Sequence, residues 1–296
     1  MARSHPPSLV TLVRRTLLEE GGELRGRTLL AAVSGGGDSQ AMLSVLARLA
    51  PQLGFELRAH GVDHGLRADA ARELDLAEAL AVSLQVPFAR SRVAVARGAN
   101  LQARAREARY AALRGAAAPH AALIATAHHA HDRAETILLR LLRGSGPRGL
   151  AVLPTRAQDV LRPLVRAAKE DVITHLERHR LDFAQDPSNS DSAFLRVRVR
   201  HELLPLLHQL SPQIVRHLNA LADALVGAEL PDLPGLDTRA GAPALNRAQI
   251  QEVLRANRLG RPVTIRVAGS RDLVLGSRRN EKNEKSRPKR PRAGQS

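Results

Sequence analysis

Residues Thr28 to Ser39 read TLLAAVSGGGDS: an apolar run of strand type, then Ser34-Gly35-Gly36-Gly37-Asp38-Ser39, with Gln40–Leu49 following at helical spacing. A strand that turns through three glycines into a helix is a cradle for an anion. No Cβ intrudes, and the N–H groups of the loop and of the first helical turn aim at one spot, with the helix dipole behind them. Ser34 and Ser39 add hydroxyl donors. Asp38 is the informative residue, because a carboxylate does not belong beside bare phosphate unless a divalent cation lies between them. No Gly-Lys-Ser/Thr follows, so the loop is not a Walker A and would hold a nucleotide without a lysine of its own. The plainer alternative is a glycine turn with a Ser or Asp N-cap.

Working outward, residues 8–20 have the pattern of a short amphipathic helix. Strand candidates at 56–62, 88–95 and 121–126 alternate with helix candidates at 69–84 and 101–114 and with a helix carrying Ala134, Ile137, Leu138 and Leu141 on one face. This alternation predicts an α/β fold with a doubly wound, mostly parallel sheet, whose ligands lie beyond the carboxyl ends of the strands. Gly144–Leu153, with Pro154 and Pro163, breaks the pattern. Helices are expected at 167–180, 200–210, 212–226 and 246–258, with a Pro/Gly-rich connection at 231–243 and a hairpin at 262–275 turning near Gly269. The expected organisation is an α/β catalytic domain over 1–150, a smaller helical region over 151–230, a small C-terminal element over 231–276 and a basic, disordered tail over 277–296.

The 296 residues carry a formal charge of +16, and hydrophobic residues make up 44%, enough for a buried core. The tail holds eight basic and two acidic residues, a net +6, which leaves +10 for residues 1–276. Such a basic body points to nucleic acid as the first partner. Its cations are arginines, apart from Lys169. Cysteine is absent, which excludes disulfides, thiolate metal sites and chemistry on a protein-bound sulfur. Aromatics at 2% argue against recognition by stacked platforms. No apolar run approaches the ~18 residues of a membrane span, and the N-terminus lacks a secretory h-region, so a cytoplasmic protein without membrane contact is expected.

The glycine loop resembles the PP-loop of the ATP pyrophosphatases, enzymes that cleave ATP to AMP and pyrophosphate while adenylating a substrate oxygen. Further segments narrow the resemblance. Asp63-His64-Gly65-Leu66-Arg67 follows the second strand, and Glu107-Ala108-Arg109-Tyr110 lies on the third crossover helix. Ala125-Thr126-Ala127-His128-His129-Ala130-His131-Asp132-Arg133-Ala134-Glu135-Thr136 leads into Arg143-Gly144-Ser145-Gly146. Asp186-Pro187-Ser188-Asn189 and Phe194-Leu195-Arg196-Val197-Arg198-Val199-Arg200-His201-Glu202-Leu203-Leu204-Pro205 complete the series. In this order, from Leu29 to Pro212, they resemble the tRNA(Ile)-lysidine synthase family. Two positions depart from it: His131-Asp132-Arg133 stands where the family has two aspartates and a glutamine, and Val197 stands where it has asparagine between arginines.

The resemblance implies ATP and Mg²⁺ as cofactors, with free L-lysine and the CAU-anticodon tRNA(Ile) as partners, and a homodimer. ATP adenylates O2 of the wobble cytidine, and the ε-amine of lysine then attacks C2 and expels AMP. It implies catalytic roles for Asp38, Arg109 and Glu135, and ATP contacts from Ser34, Gly35, Gly36, Gly37, Asp38, Ser39, His64 and His128. Asp38 and Asp132 become the Mg²⁺ ligands; Asp132, Glu135, Arg196, Arg198 and Arg200 become the lysine and tRNA contacts. Read on their own, Asp132 and Glu135 share a helix face and serve equally as N-terminal dipole charges. The alternating arginines serve equally as a solvated face, and His128-His129 as a hydrogen-bonded pair, a base or ribose contact, or a weak zinc motif. Asp186–Asn189 reads first as a turn. A tRNA thiolase would need cysteines, and a non-catalytic RNA-binding platform would not place an acid in the loop.

Overall fold

The computed structural model describes residues 7–63, 65, 70–95, 98, 101–184, 195–228, 252, 255, 263–265 and 273–275. His64, Leu66–Arg67, Asp186–Asn189, Phe194 and the basic tail lie outside the described residues, as does most of the helix expected at 246–258.

A helix, α1 (Leu9–Glu20), precedes a βα alternation: β1 (Thr28–Val33), α2 (Gly37–Leu53), β2 (Glu56–Asp63), α3 (Ala70–Ser83), β3 (Phe88–Arg92), α4 (Leu101–Ala117), β4 (Leu123–Ala125) and α5 (Ala130–Leu142), with a single turn, α6 (Pro147–Leu150), after it. Ser8 caps α1 by accepting the Thr11 N–H, and α2 ends where Gly54 turns into the left-handed region. The strand order is β3-β2-β1-β4-β6-β5, parallel except at the β5 edge. β1 pairs β2 on one side and β4 on the other, Ala31 facing both Ala59 and Ala125. The winding therefore reverses between β1 and β4. A crevice opens at such a reversal beyond the strands' carboxyl ends, where α2 and α5 begin.

The sheet crosses the boundary expected near residue 150. β6 (Val160–Leu161) runs parallel to β4 and forms a tight hairpin with β5 (Arg156–Ala157). Pro154 and Pro163 mark the ends of this hairpin, where a missing N–H costs no ladder bond, so the proline signal was a sheet edge and not a domain end. Residues 1–142 and 150–228 form one compact unit. A second unit takes Arg143–Gly149 and the residues from Glu229 on; within it β7 (Val263–Ile265) and β8 (Leu273–Leu275) pair antiparallel, as the expected hairpin requires.

The main core joins α1, β1, α2 and α7 (Lys169–His179), with Met42, Leu46, Leu49, Leu164 and Val172 fully buried. α8 (Leu195–Arg198) leads into a π-helical turn (Val199–Leu203), and a second cluster packs α5 against that turn, α9 (Leu204–Leu210) and α10 (Ile214–Leu225). Ala134, Ile137 and Leu138 are buried there, whereas Leu141 reaches beyond the core and is exposed. No helix of the described residues is long and apolar enough to cross a membrane.

Arg133 locks this second layer. It is 0% exposed, donates through Nε to the Val152 carbonyl at 2.8 Å, and pairs with Asp223 of α10 at 2.5 Å. Removing one member of such a pair strands the groups it satisfied, although Asp223 keeps some solvent. Arg133→Ala is expected to lower stability by about 2–4 kcal/mol, measured by urea unfolding, with the slope against denaturant unchanged.

Candidate functional site

The glycine loop has its shape for three separate reasons. Gly35 has φ +78°, and a Cβ there would run into the Glu73 carbonyl of α3. Gly37 faces Leu176 and Phe183, 3.0 and 3.3 Å from where a Cβ would stand. At Gly36 a Cβ would make only an ordinary contact with Ser34 Oγ, so of the three glycines this one leaves space for a ligand. The loop is pinned from behind. Ser34 N–H donates to Ser39 Oγ at 3.1 Å, Ser39 Oγ donates to the Gly36 carbonyl at 2.8 Å, and Ala184 N–H donates to the Gly35 carbonyl at 2.9 Å. Ser39 is buried, and its hydroxyl bonds within the loop.

Asp38, in the first turn of α2, meets two partners. Lys169 Nζ, from the first residue of α7, lies 2.5 Å from Oδ1, and His129 Nε2 lies 3.6 Å from Oδ2. Burial pushes the Asp38 carboxyl up, but His129 and Lys169 outweigh it and hold the group at about 2. His129 Nε2 is also 3.6 Å from Asp132 Oδ2, so the imidazole sits between the two carboxylates; His129 caps α5, and Asp132, the third residue of that helix, reaches back to accept the His129 backbone N–H through Oδ2 at 3.0 Å.

Glu135, one turn further along α5, has a side chain only 2% exposed. Arg200 donates to it twice, Nε to Oε1 at 2.6 Å and Nη2 to Oε2 at 3.0 Å, and Arg196 Nε donates to Oε2 at 3.2 Å. Both arginines also lie near Asp132 Oδ1, at 3.6 and 3.5 Å. Asp38, Asp132 and Glu135 thus converge in one polar network at the β1/β4 reversal. Arg196 and Arg200 belong to a helical segment, where four residues apart means the same face. Arg198 falls on the opposite face and pairs with Glu202 in solvent at 2.9 Å, apart from the carboxylate network.

His128 does not join the carboxylates. Its Nδ1 is 3.0 Å from Thr126 Oγ1, and burial, with Arg162, Arg106 and Arg109 nearby and against the pull of Asp132, drives its pKa down to about 4, so it is neutral at pH 7. Arg109 lies on α4 with its guanidinium carbon 5.5 Å from the Tyr110 ring centre, and burial lowers its pKa. The residues that the motifs did not assign are His129 and Lys169. The doubled histidine was visible but gave no reason to choose the second, and the lone lysine of the body was visible without its destination. Among the described residues no group of three His, Asp or Glu is arranged to hold a metal by itself.

Two expected outcomes follow from this geometry. Gly35→Ala should lose at least about 2 kcal/mol on thermal or urea unfolding, since the left-handed backbone and the Glu73 carbonyl both oppose a Cβ. An acid whose folded pKa is depressed stabilises the fold where it is ionised. The Asp38 contribution should therefore be complete above about pH 4 and vanish as pH falls through about 2, so the stability gap between the native chain and Asp38→Asn should close over that window.

Residues 10–207 match the PP-loop domain family. The chain is 40% identical over 244 residues to the tRNA(Ile)-lysidine synthase of Xanthomonas axonopodis pv. citri, covering 78% of this chain and 55% of that protein. It is 40% identical over 226 residues to the tRNA(Ile)-lysidine synthase of Thermobifida fusca, covering 75% and 70%. The chain thus spans between about half and about two thirds of these relatives' lengths. Among solved structures, the U34-tRNA thiolase NcsA from Methanococcus maripaludis shares the fold, with a TM-score of 0.64 at 16% identity over 78% of this chain and 83% of that one. With the glycine loop, the β1/β4 crevice and the α5 carboxylates in place, the chain belongs to the PP-loop domain family and, within it, to the tRNA(Ile)-lysidine synthases.

Proposed function

We propose that the chain attaches free L-lysine to C2 of the wobble cytidine in a CAU-anticodon tRNA(Ile), using ATP and releasing AMP and pyrophosphate. The observation that carries this reading is the meeting of three carboxylates with a glycine anion cradle in one crevice. A site for RNA phosphate alone gains nothing from three buried or half-buried acids. A site that must handle both a polyphosphate and an ammonium needs both signs.

In the first step the cytidine O2 attacks the α-phosphorus and pyrophosphate leaves. Negative charge grows on the departing group, where the uncrowded backbone at Gly36 and the N–H groups of the first turn of α2 can receive it. Arg109 is the arginine for the α-phosphate. Asp38 and Asp132 suit Mg²⁺, which binds through one or two carboxylates together with substrate phosphates and keeps several waters. When bound it would offset phosphate charge. His129 spaces the two carboxylates.

In the second step the lysine amine attacks C2 and AMP leaves. The incoming ε-ammonium must be held and then lose protons. Glu135 and Asp132 are its carboxylates, and Arg196, with its side chain 49% exposed, is the partner placed to yield an oxygen of Glu135. Arg200, held by two hydrogen bonds, keeps the carboxylate oriented. In this reading residues 151–230 supply further tRNA and lysine contacts, 231–276 add a substrate-recognition element, and the protein works in the cytoplasm as a homodimer.

The test incubates the full chain with ATP, radiolabelled lysine and a CAU-anticodon tRNA(Ile) transcript, followed by digestion to nucleosides. Labelled lysidine, with AMP and pyrophosphate in equal amounts, is the expected result. ADP as the nucleotide product, or no labelled nucleoside, would refute it. Asp38→Asn should lower lysidine formation by at least about 100-fold while a filter-binding assay finds tRNA affinity within about 3-fold of the native chain.

A further inference from the structure

We propose that Lys169 is the cation for the terminal phosphates of the nucleotide, leaving Asp38 to meet them, and that His131 is a positioning residue that seats it. The inference rests on the ATP-cleaving reading above and extends it to residues that no motif assigned.

Lys169 is the one lysine before the basic tail, and the fold carries it across 131 positions of sequence to the glycine loop. Its site is poor for a cation on local grounds. It is the first residue of α7, at the positive end of the helix dipole, where acids such as Glu170 and Asp171 belong. Asp171 already serves the helix end by accepting the Ala168 N–H at 2.8 Å. The needs of α7 therefore do not explain a lysine there, whereas its contact with Asp38 does.

The backbone of Lys169 is fixed while its ammonium is accessible. His131 Nδ1 accepts the Lys169 N–H at 3.2 Å, Ala130 N–H donates to the Ala167 carbonyl at 2.9 Å, and Val172 and Leu176 anchor α7 in the main core. The Lys169 side chain is 37% exposed, so it can pivot about an anchored Cα. The other cations of the network are engaged twice or more: Arg200 and Arg196 each contact both Glu135 and Asp132. Lys169 contacts one carboxylate oxygen with one of three ammonium donors. It is thus the network's least committed cation and the nearest one to the loop. The glycine loop supplies N–H groups but no cation, and pyrophosphate departure calls for one. The departure from the family pattern at His131 acquires a purpose here, since the imidazole nitrogen ties the start of α5 to the start of α7.

Isothermal titration of the full chain with ATP, inorganic pyrophosphate and AMP, each with Mg²⁺, tests this. Lys169→Met and Lys169→Gln should weaken ATP and pyrophosphate by about 10- to 100-fold and leave AMP within about 2-fold, with Lys169→Arg recovering part of the loss. His131→Ala should weaken pyrophosphate by a smaller factor, about 3- to 10-fold, and His131→Asn, which keeps an acceptor, should restore it. Melting curves confirm that each variant is folded, and Arg15→Ala, on the exposed face of α1, is the control. Native-like binding of ATP and pyrophosphate by Lys169→Met overturns the proposal. So does an equal loss for AMP, which would mean that Lys169 only shapes the site through Asp38. A native chain with the expected binding pattern that forms no lysidine refutes the reaction proposed above and leaves this inference standing; a native chain that binds no ATP ends both.

Discussion

Three carboxylates lie within reach of one another at the carboxyl edge of the sheet, and the second half of the chain is arranged to answer them. Asp38 and Asp132 begin the helices that follow β1 and β4, and Glu135 is one turn deeper. Neighbouring strands make this proximity unavoidable once each is followed by an acid. Two helix N-termini ease the repulsion but do not cancel it, since each contributes only a partial charge. The remainder comes from Lys169, Arg196 and Arg200, which reach the site across long sequence separations. Leaving any of these acids buried without a partner would cost several kcal/mol. The placement of Lys169 at the start of α7 and of Arg196 and Arg200 beside α5 therefore answers the charges at 38, 132 and 135.

That dependence runs in both directions through α5. The helix turns one face to the second core, where Ile137 and Leu138 are buried, and its first turn to the carboxylate network. Arg133 and Asn219 then couple α10 to the same helix, the latter donating to the Ala130 carbonyl at 2.9 Å. Packing free energy in this layer holds the α5 carboxylates at fixed distances from the loop. The site is thus built on rigid elements from two cores and not on a loop alone.

The sheet and the loop were legible because they are local. A glycine triplet between an apolar run and a helix says what it is within a dozen residues, and strand and helix periods read correctly from β1 to α5. What was missed is non-local or depends on angle. Arg196, Arg198 and Arg200 look alike in a line of text, and only the helical period separates the two that face Glu135 from the one that faces solvent. The prolines at 154 and 163 signal an interruption equally well at a sheet edge and at a domain end. No sequence pattern says that Ser39 turns its proton inward, or that a solitary lysine ends at a loop far upstream, because both follow from tertiary contacts.

The same distinction governs how the charge of the body is read. A surplus of arginine suggested a surface for nucleic acid, yet many of these cations are already matched: Arg133 to Asp223, Arg114 to Asp159, Arg90 to Asp75 and Glu78, Arg166 to Glu19 and Glu20. Among the described residues, Arg106, Arg109 and Arg162 have no carboxylate partner. Arg106 and Arg109 lie over the Tyr110 ring, and all three are close enough to His128 to depress its pKa. Like charges gathered in a half-buried place repel one another, and such an arrangement is tolerated best where an anion is to be received. The basic character that matters for binding is therefore not the net charge of the chain. It is the part that internal pairing leaves over, and Arg106, Arg109 and Arg162, gathered around His128, belong to that part.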